Sequence, residues 1–401
     1  MTHERTCDGV ICFGGADWWY HNRAHYDLQM MRELSRIVPV LYVNSIGVRI
    51  PKPTEGAMFA KRVIRKLKSF RRGVVQIREN FTVMSPVVIP GRIGMSVSKR
   101  ILAPQVRAAA RRAGISRPLV WVTCPPAADA VDAISPEAVI YERTDRWEEF
   151  PEADGDQIRR YDRFMKQRAD LTLYCATVLF GEERSACRRA AYVDHGVDFE
   201  TFSSADAAEC PADIKTVNPP RVVFVGGIDN HTFDERLFVE VARNLPDLQF
   251  VLIGSCSLSE GWCRLPNVHL LGRRPYEEVP AYMAAADVLI MPWLQNEWIR
   301  ACNPVKLKEY LAVGRPVVTT WFEELRRYEG YVHVAKGAGE FALAIRRSIE
   351  EKCDPARLRD RVRRDTWQDK GGAVVAELDR IGIGLGSRAG SSQNLPAPAL
   401  Q

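Results

Sequence analysis

A chain of 401 residues is longer than the roughly 250 to 300 at which a single core stops growing, so two domains are expected. Apolar residues at 46% and charged residues at 26% exclude a disordered or fibrous chain, and no apolar run approaches the roughly 18 residues of a membrane-spanning helix. The net charge of +6 is modest and nucleic acid is not an expected partner; the excess lies in patches that a membrane surface could feel.

The opening MTHERTCDGV has neither the basic start nor the apolar stretch of a signal peptide, and a cytoplasmic location is expected. VICFGG, from Val10 to Gly15, reads as a buried strand ending in paired glycines. Leu28, Met31 and Leu34 then recur at helical spacing, and VPVLYVNS is the next strand, which makes a β-α-β unit with a parallel pair. Gly14, Gly15 and His21 mark the loop of this first domain that faces a bound acceptor. His21 and His25 have the spacing of a metal pair, but no third ligand stands at a matching distance, and no metal is expected. The ten cysteines are scattered without a Cys-x-x-Cys pair and read as reduced.

AKRVIRKLKSFRR, residues 60–72, is densely basic with Val63, Ile64, Leu67 and Phe70 at helical spacing. A surface helix resting on anionic lipid is the expectation, with peripheral contact at the inner membrane face. Further strands and helices continue to DHGVD, so residues 1–203 form the first domain. Residues 204–220, rich in Asp, Pro and small residues, read as a linker. A second α/β series fills 221–385, and the low-complexity 386–401 reads as a disordered tail. Two doubly wound parallel-sheet domains in tandem leave a cleft between the carboxyl ends of their strands.

In VVFVGGID, Gly226 and Gly227 end a buried strand where backbone amides can meet a phosphate. Neither glycine pair completes G-x-G-x-x-G or is followed by G-K-[ST], which disfavours a dinucleotide oxidoreductase and a P-loop NTPase. In ACNPVKLKEYLAVGRPVV, Asn303 reads as helix cap, Pro304 as first helical residue and Gly314 as terminator. Lys306 and Lys308 in the first turns, with Arg300 just upstream, oppose the helix dipole, and a bound pyrophosphate would resolve the conflict. Lys306 and Glu309 share a face: the lysine would neutralise phosphate while the carboxylate accepts a ribose diol. In YERTDRWEEF, Asp145 follows a buried strand at the cleft end and is the candidate base, with Glu142 as its competitor.

The stretch 221–320, above all VGGID, LPNVHLLGRRPYEEVPAYMAAADVLIMPW and NPVKLKEYLAVGRPVV, resembles the donor-binding half of family-4-like (group 1) glycosyltransferases of GT-B architecture. WWYHNRAHYDLQMMRELS, YERTDRWEEF and DHGVDFETF resemble the branch containing the teichuronic-acid and xanthan glucuronosyltransferases. The resemblance implies two Rossmann-like domains facing a central cleft, with the donor held by Gly226, Gly227, Arg273, Arg300, Asn303, Lys306 and Glu309. It departs in two places. Ala301 stands where the family's Glu-x7-Glu pair begins, and Asp229, Asn230 and His231 replace the usual basic pair after the first strand of the second domain.

The expected activity is transfer of a hexosyl or uronosyl group from an NDP-sugar, UDP preferred, to a lipid-linked saccharide or secondary-metabolite acceptor. No cofactor is expected, and no metal, since no Asp-x-Asp stands in a donor loop. The alternatives are a sugar-nucleotide epimerase of the same fold, separable by product analysis with donor alone, and a non-catalytic sugar-nucleotide-binding protein. Whether the reaction retains or inverts stereochemistry stays open at this stage.

Overall fold

The computed structural model describes residues 4–20, 25–46, 57–87, 92–150, 153–351 and 353–386. His21 and all but the first residue of the 386–401 tail lie outside them.

The first sheet has eight strands in the order Val74–Arg78, Phe81–Met84, Val40–Val43, Gly9–Phe13, Pro118–Val122, Ala138–Arg143, Leu171–Tyr174 and Ala190–Tyr192. All neighbours are parallel except the first two, which form a hairpin at the edge. Central strands such as Gly9–Phe13 and Ala138–Arg143 are buried along their whole length, as strands covered by helices on both faces must be. Alternate residues serve opposite faces: Val10 and Cys12 join one hydrophobic cluster, Ile11 and Phe13 the other.

The second sheet runs Val268–Gly272, Gln249–Ile253, Arg221–Val225, Val288–Met291, Val317–Thr319 and His333–Val334, all parallel. In both sheets the strand order reverses beside the first parallel strand of the series, Gly9–Phe13 in one and Arg221–Val225 in the other. Such switch points open a crevice beyond the carboxyl ends of the strands, where ligands bind in open α/β sheets.

Two expected boundaries move. Residues 204–220 are not a free linker, because Ala205, Ile214 and Val217 pack with Val197 and Phe202 into the core of the second sheet. The stretch 221–385 does not stay in one domain either. Trp367–Arg380 is a helix that carries Trp367, Val374 and Leu378 into the core of the first sheet beside Leu28, Met31 and Leu34. Ile383–Leu385 then pairs in parallel with Arg5–Cys7. The apolar stripe of that helix is visible in the sequence, but a stripe does not say which core it will cover.

The cleft-facing helix is Val305–Val313, starting one residue later than expected, with Pro304 at the cap position and no side-chain cap bond. Asn303 is therefore not its cap; its amide donates across the domains to the Cys175 carbonyl at 2.6 Å. Gly314 ends the helix as expected, at a positive φ of 80° that favours glycine. The basic helix spans Ala57–Arg72, with Ile64 and Leu67 more than half exposed. Among the described residues no helix is long and apolar enough to cross a membrane, and no three His, Cys, Asp or Glu side chains gather as a metal site.

Candidate functional site

The carboxyl ends of the two sheets enclose a cleft of about 690 Å³, within the range of small-molecule sites. On the second-domain side its floor is the Gly226–Gly227 loop. Gly226 lies so close to the neighbouring strand end that a Cβ on Gly254 would sit 1.7 Å from the Gly226 carbonyl, so only glycine fits there. Asp229, one of the residues replacing the family's basic pair, stiffens this loop: its Oδ1 accepts the His231 and Thr232 amides and the Thr232 hydroxyl at 2.8 to 3.1 Å.

Lys306 lines the cleft, with its Nζ 2.6 Å from Glu309 Oε2. Glu309 sits behind it, its side chain 1% exposed, and also accepts the Tyr276 hydroxyl at 3.3 Å. The carboxylate is thus turned toward Lys306 and Tyr276 and is not part of the cleft lining. Lys308, grouped with Lys306 on sequence grounds, faces the other way: fully buried, it pairs with Asp194 at 2.9 Å and Asp365 at 3.4 Å. Two residues apart on a helix point to nearly opposite sides, so the two lysines cannot share one ligand. Arg300 is not on the cleft wall; Glu182 at 2.8 Å and Glu297 at 2.9 Å hold it. Arg273 does line the cleft and donates to the Tyr20 carbonyl of the first domain at 3.3 Å.

The opposite wall carries Gly15, Glu142 and Asp145. Gly14 is set back, its Cα against the Tyr42 ring. The Gly15 amide donates to Asp27 Oδ2 at 2.8 Å, and Asp27 also accepts from the Tyr42 hydroxyl and the Leu28 amide. Asp145 is half-buried; desolvation pushes its carboxyl up to about 6, against the opposing pull of a Thr144 hydrogen bond and of Arg143. Its arginine neighbours are occupied elsewhere. Arg143 pairs with Glu148 at 2.8 Å and Glu183 at 3.1 Å and donates only to the backbone carbonyl of Asp145, while Arg146 pairs with Glu182. Glu142 is 2% exposed, and burial and the nearby Asp27 raise its carboxyl well above the ordinary range.

Three cleft groups were not singled out from the sequence. Asp27 follows no motif, and its role depends on the Gly15 loop folding over it. His195 lines the cleft and stays neutral, because burial and the Lys308 charge push its imidazole down to about 3; DHGVD holds it, but only as a turn signal. Trp298 meets Trp147 and Phe150 of the opposite domain at ring distances of 5.9 and 5.5 Å, a contact no local pattern announces.

Residues 219–351 match the family described as glycosyl transferases group 1. A putative teichuronic acid biosynthesis glycosyltransferase, TuaH of Bacillus subtilis (strain 168), is 28% identical over 218 residues, which is 50% of this chain and 55% of that one, so the match spans about half of the relative. The fold is similar to sucrose-phosphate synthase from Thermosynechococcus elongatus, with TM-score 0.66 at 15% identity over 93% of this chain and 98% of the other. It is equally similar to Anabaena Alr3699/HepE, solved in complex with UDP-glucose, with TM-score 0.67 at 14% identity over 93% of this chain and 100% of the other. With the two switch-point sheets facing one cleft, these likenesses show the two-domain GT-B fold, and residues 219–351 are similar to the group 1 glycosyl transferases.

Proposed function

We propose that the chain is a glycosyltransferase that moves a hexosyl or uronosyl group from a UDP-sugar to a hydroxyl of a lipid-linked saccharide or secondary-metabolite acceptor. The observation that carries this reading is the pairing of two walls: a glycine loop and Lys306 able to hold a diphosphate, opposite Asp145 with a carboxyl near the working pH of a base. The UDP-glucose complex of Alr3699/HepE, on the same fold, supports UDP as the carrier.

Asp145 takes the proton of the acceptor hydroxyl as its oxygen bonds to the anomeric carbon. The bond from that carbon to the diphosphate breaks, and its electron pair leaves with UDP. The Gly226 amide is spent on the Ile253 carbonyl at 2.9 Å, so the Gly227 amide, Lys306 and Arg273 meet the developing charge, and the reading asks for no metal and no cofactor. Glu309, behind the cleft wall, holds and orients Lys306 until the diphosphate competes for it. The basic helix Ala57–Arg72, with Ile64 and Leu67 exposed, rests on an anionic membrane and brings the first domain to a lipid-linked acceptor.

Calorimetric titration with UDP and with uridine tests the donor site. Lys306→Ala should weaken UDP by roughly 1.5 to 3 kcal/mol, the worth of a charge-assisted hydrogen bond, and leave uridine nearly unchanged. Unchanged UDP affinity in that variant removes the phosphate site from this helix end.

A further inference from the structure

The two oxygens of Glu142 are in different situations. Oε2 accepts from the Trp121 indole at 2.6 Å and from the Thr123 hydroxyl at 3.0 Å, which occupies both of its lone pairs. Oε1 is buried with no hydrogen-bond partner, on a side chain that lines the cleft beside Asp145. A buried polar atom without a partner costs stability unless a ligand completes it.

The groups facing Glu142 make its state legible. Asp27 and Tyr26 approach from the helix Tyr26–Leu34, Cys12 from the central strand, Cys175 from the end of Leu171–Tyr174, and Asp145 from its own loop, while His25 and His195 line the same cleft. Burial and the nearby Asp27 both work against charge on Glu142 and raise its carboxyl well above the ordinary range. Since Oε2 is engaged as a double acceptor, the proton of a neutral Glu142 belongs on Oε1.

We propose that Glu142 acts as a neutral acid whose Oε1–H donates a hydrogen bond to the acceptor oxygen that Asp145 deprotonates, so that one carboxyl holds the nucleophile while the other takes its proton. The proposal rests on the glycosyl-transfer reading of the cleft. It separates the two carboxyls that the sequence left as competitors for one role. A neutral donor orients the attacking oxygen without repelling the Asp145 carboxylate, which a second anion at this position would do.

The test uses the whole protein and two variants, Glu142→Gln and Glu142→Ala. A folded state that keeps the Glu142 proton loses stability as pH rises above the unfolded carboxyl value of about 4.3, whereas Gln cannot titrate. The melting temperature of Glu142→Gln relative to wild type should therefore rise steadily from about pH 5 to about pH 8. With UDP-glucose as donor and octyl glucoside as acceptor, Glu142→Ala should raise the acceptor KM about tenfold while the UDP affinity measured by calorimetry stays put, and Glu142→Gln, which keeps an N–H at that place, should recover most of the loss. A melting difference that does not change with pH means that Glu142 is ionised and overturns the proposal. So does an unchanged acceptor KM in Glu142→Ala. If wild-type protein binds no UDP, the glycosyl-transfer reading fails and the acceptor role of Glu142 falls with it, while the pH-dependent melting difference still reports the acid.

Discussion

At Asp145 two opposing influences meet, desolvation raising the carboxyl and Thr144 and Arg143 lowering it, and they leave it at about 6. A base must be ionised to accept a proton, so turnover should climb with pH up to about 6 and level off above it, falling about tenfold per unit on the acid side. Asp145→Asn should lose about 10²- to 10⁴-fold in rate with UDP binding retained, because the UDP contacts lie in the other domain. Wild-type turnover in that variant, or a rate indifferent to pH between about 5 and 7, would reduce Asp145 to a structural residue. The place of Asp145 on the cleft wall was legible because it closely follows a buried strand whose carboxyl end had to face the cleft. Lys308 was misread with Lys306 because cation count and proximity to a helix start do not say which side of the helix meets solvent; Asp194 and Asp365, the carboxylates that claim it, are 114 and 57 residues away in the chain. Arg300 was misread for the same kind of reason, since Glu297 was in view one turn before it but Glu182 was not.

Elements whose grammar is local came through best. The strand, glycine turn and helix order of both domains, and the Gly314 terminator, rest on residues within a few positions of one another. The start of the Val305–Val313 helix did not, because the Asn303 side chain has a stronger claim on it from the other domain than from the helix amides it was expected to cap. The basic helix Ala57–Arg72 shows a further consequence at this scale. Arg72 lies 4.3 Å over the Trp19 ring and Arg65 5.9 Å over Tyr20, which anchors one flank of the helix to the first domain beside the cleft and leaves Ile64 and Leu67 outward. Each basic residue near an anionic surface contributes about 1 kcal/mol, and the two aliphatic side chains add burial in the headgroup layer. Wild-type protein should therefore sediment with vesicles containing phosphatidylglycerol at low salt and not with neutral vesicles, and Ile64→Ser with Leu67→Ser should release it. If wild-type protein stays in the supernatant with anionic vesicles at low salt, the membrane reading falls.

Across the whole molecule, one carboxylate joins parts that the sequence had assigned to separate domains. Asp194 follows the last strand of the first sheet; it accepts Lys308 at 2.9 Å from the cleft helix, Lys370 at 2.6 Å from the returning helix Trp367–Arg380, and Arg327 at 2.8 Å from the segment Glu323–Tyr328. Burial works against its ionisation, but Lys308 and Lys370 outweigh it and hold the carboxyl well below the usual range. A carboxyl with a depressed folded value contributes stability that is present above its unfolded value of about 3.9 and is lost as pH falls through the folded value. Asp194→Asn leaves buried Lys308 without its nearer carboxylate, only Asp365 at 3.4 Å remaining, and breaking a buried pair in this way costs about 3 to 5 kcal/mol. The deficit should be full near neutral pH in urea unfolding followed by tryptophan fluorescence, and should shrink below about pH 4, where the wild-type carboxylate begins to be protonated in the unfolded chain. Adding Lys308→Met should return part of the loss, since it removes the stranded charge. Because Lys308 shares its helix with Lys306, the single variant should also weaken UDP binding without touching the cleft wall. A neutral-pH stability within about 1 kcal/mol of wild type would mean that Asp365 and the His195 carbonyl alone satisfy Lys308, and that Asp194 does not hold the two domains in register.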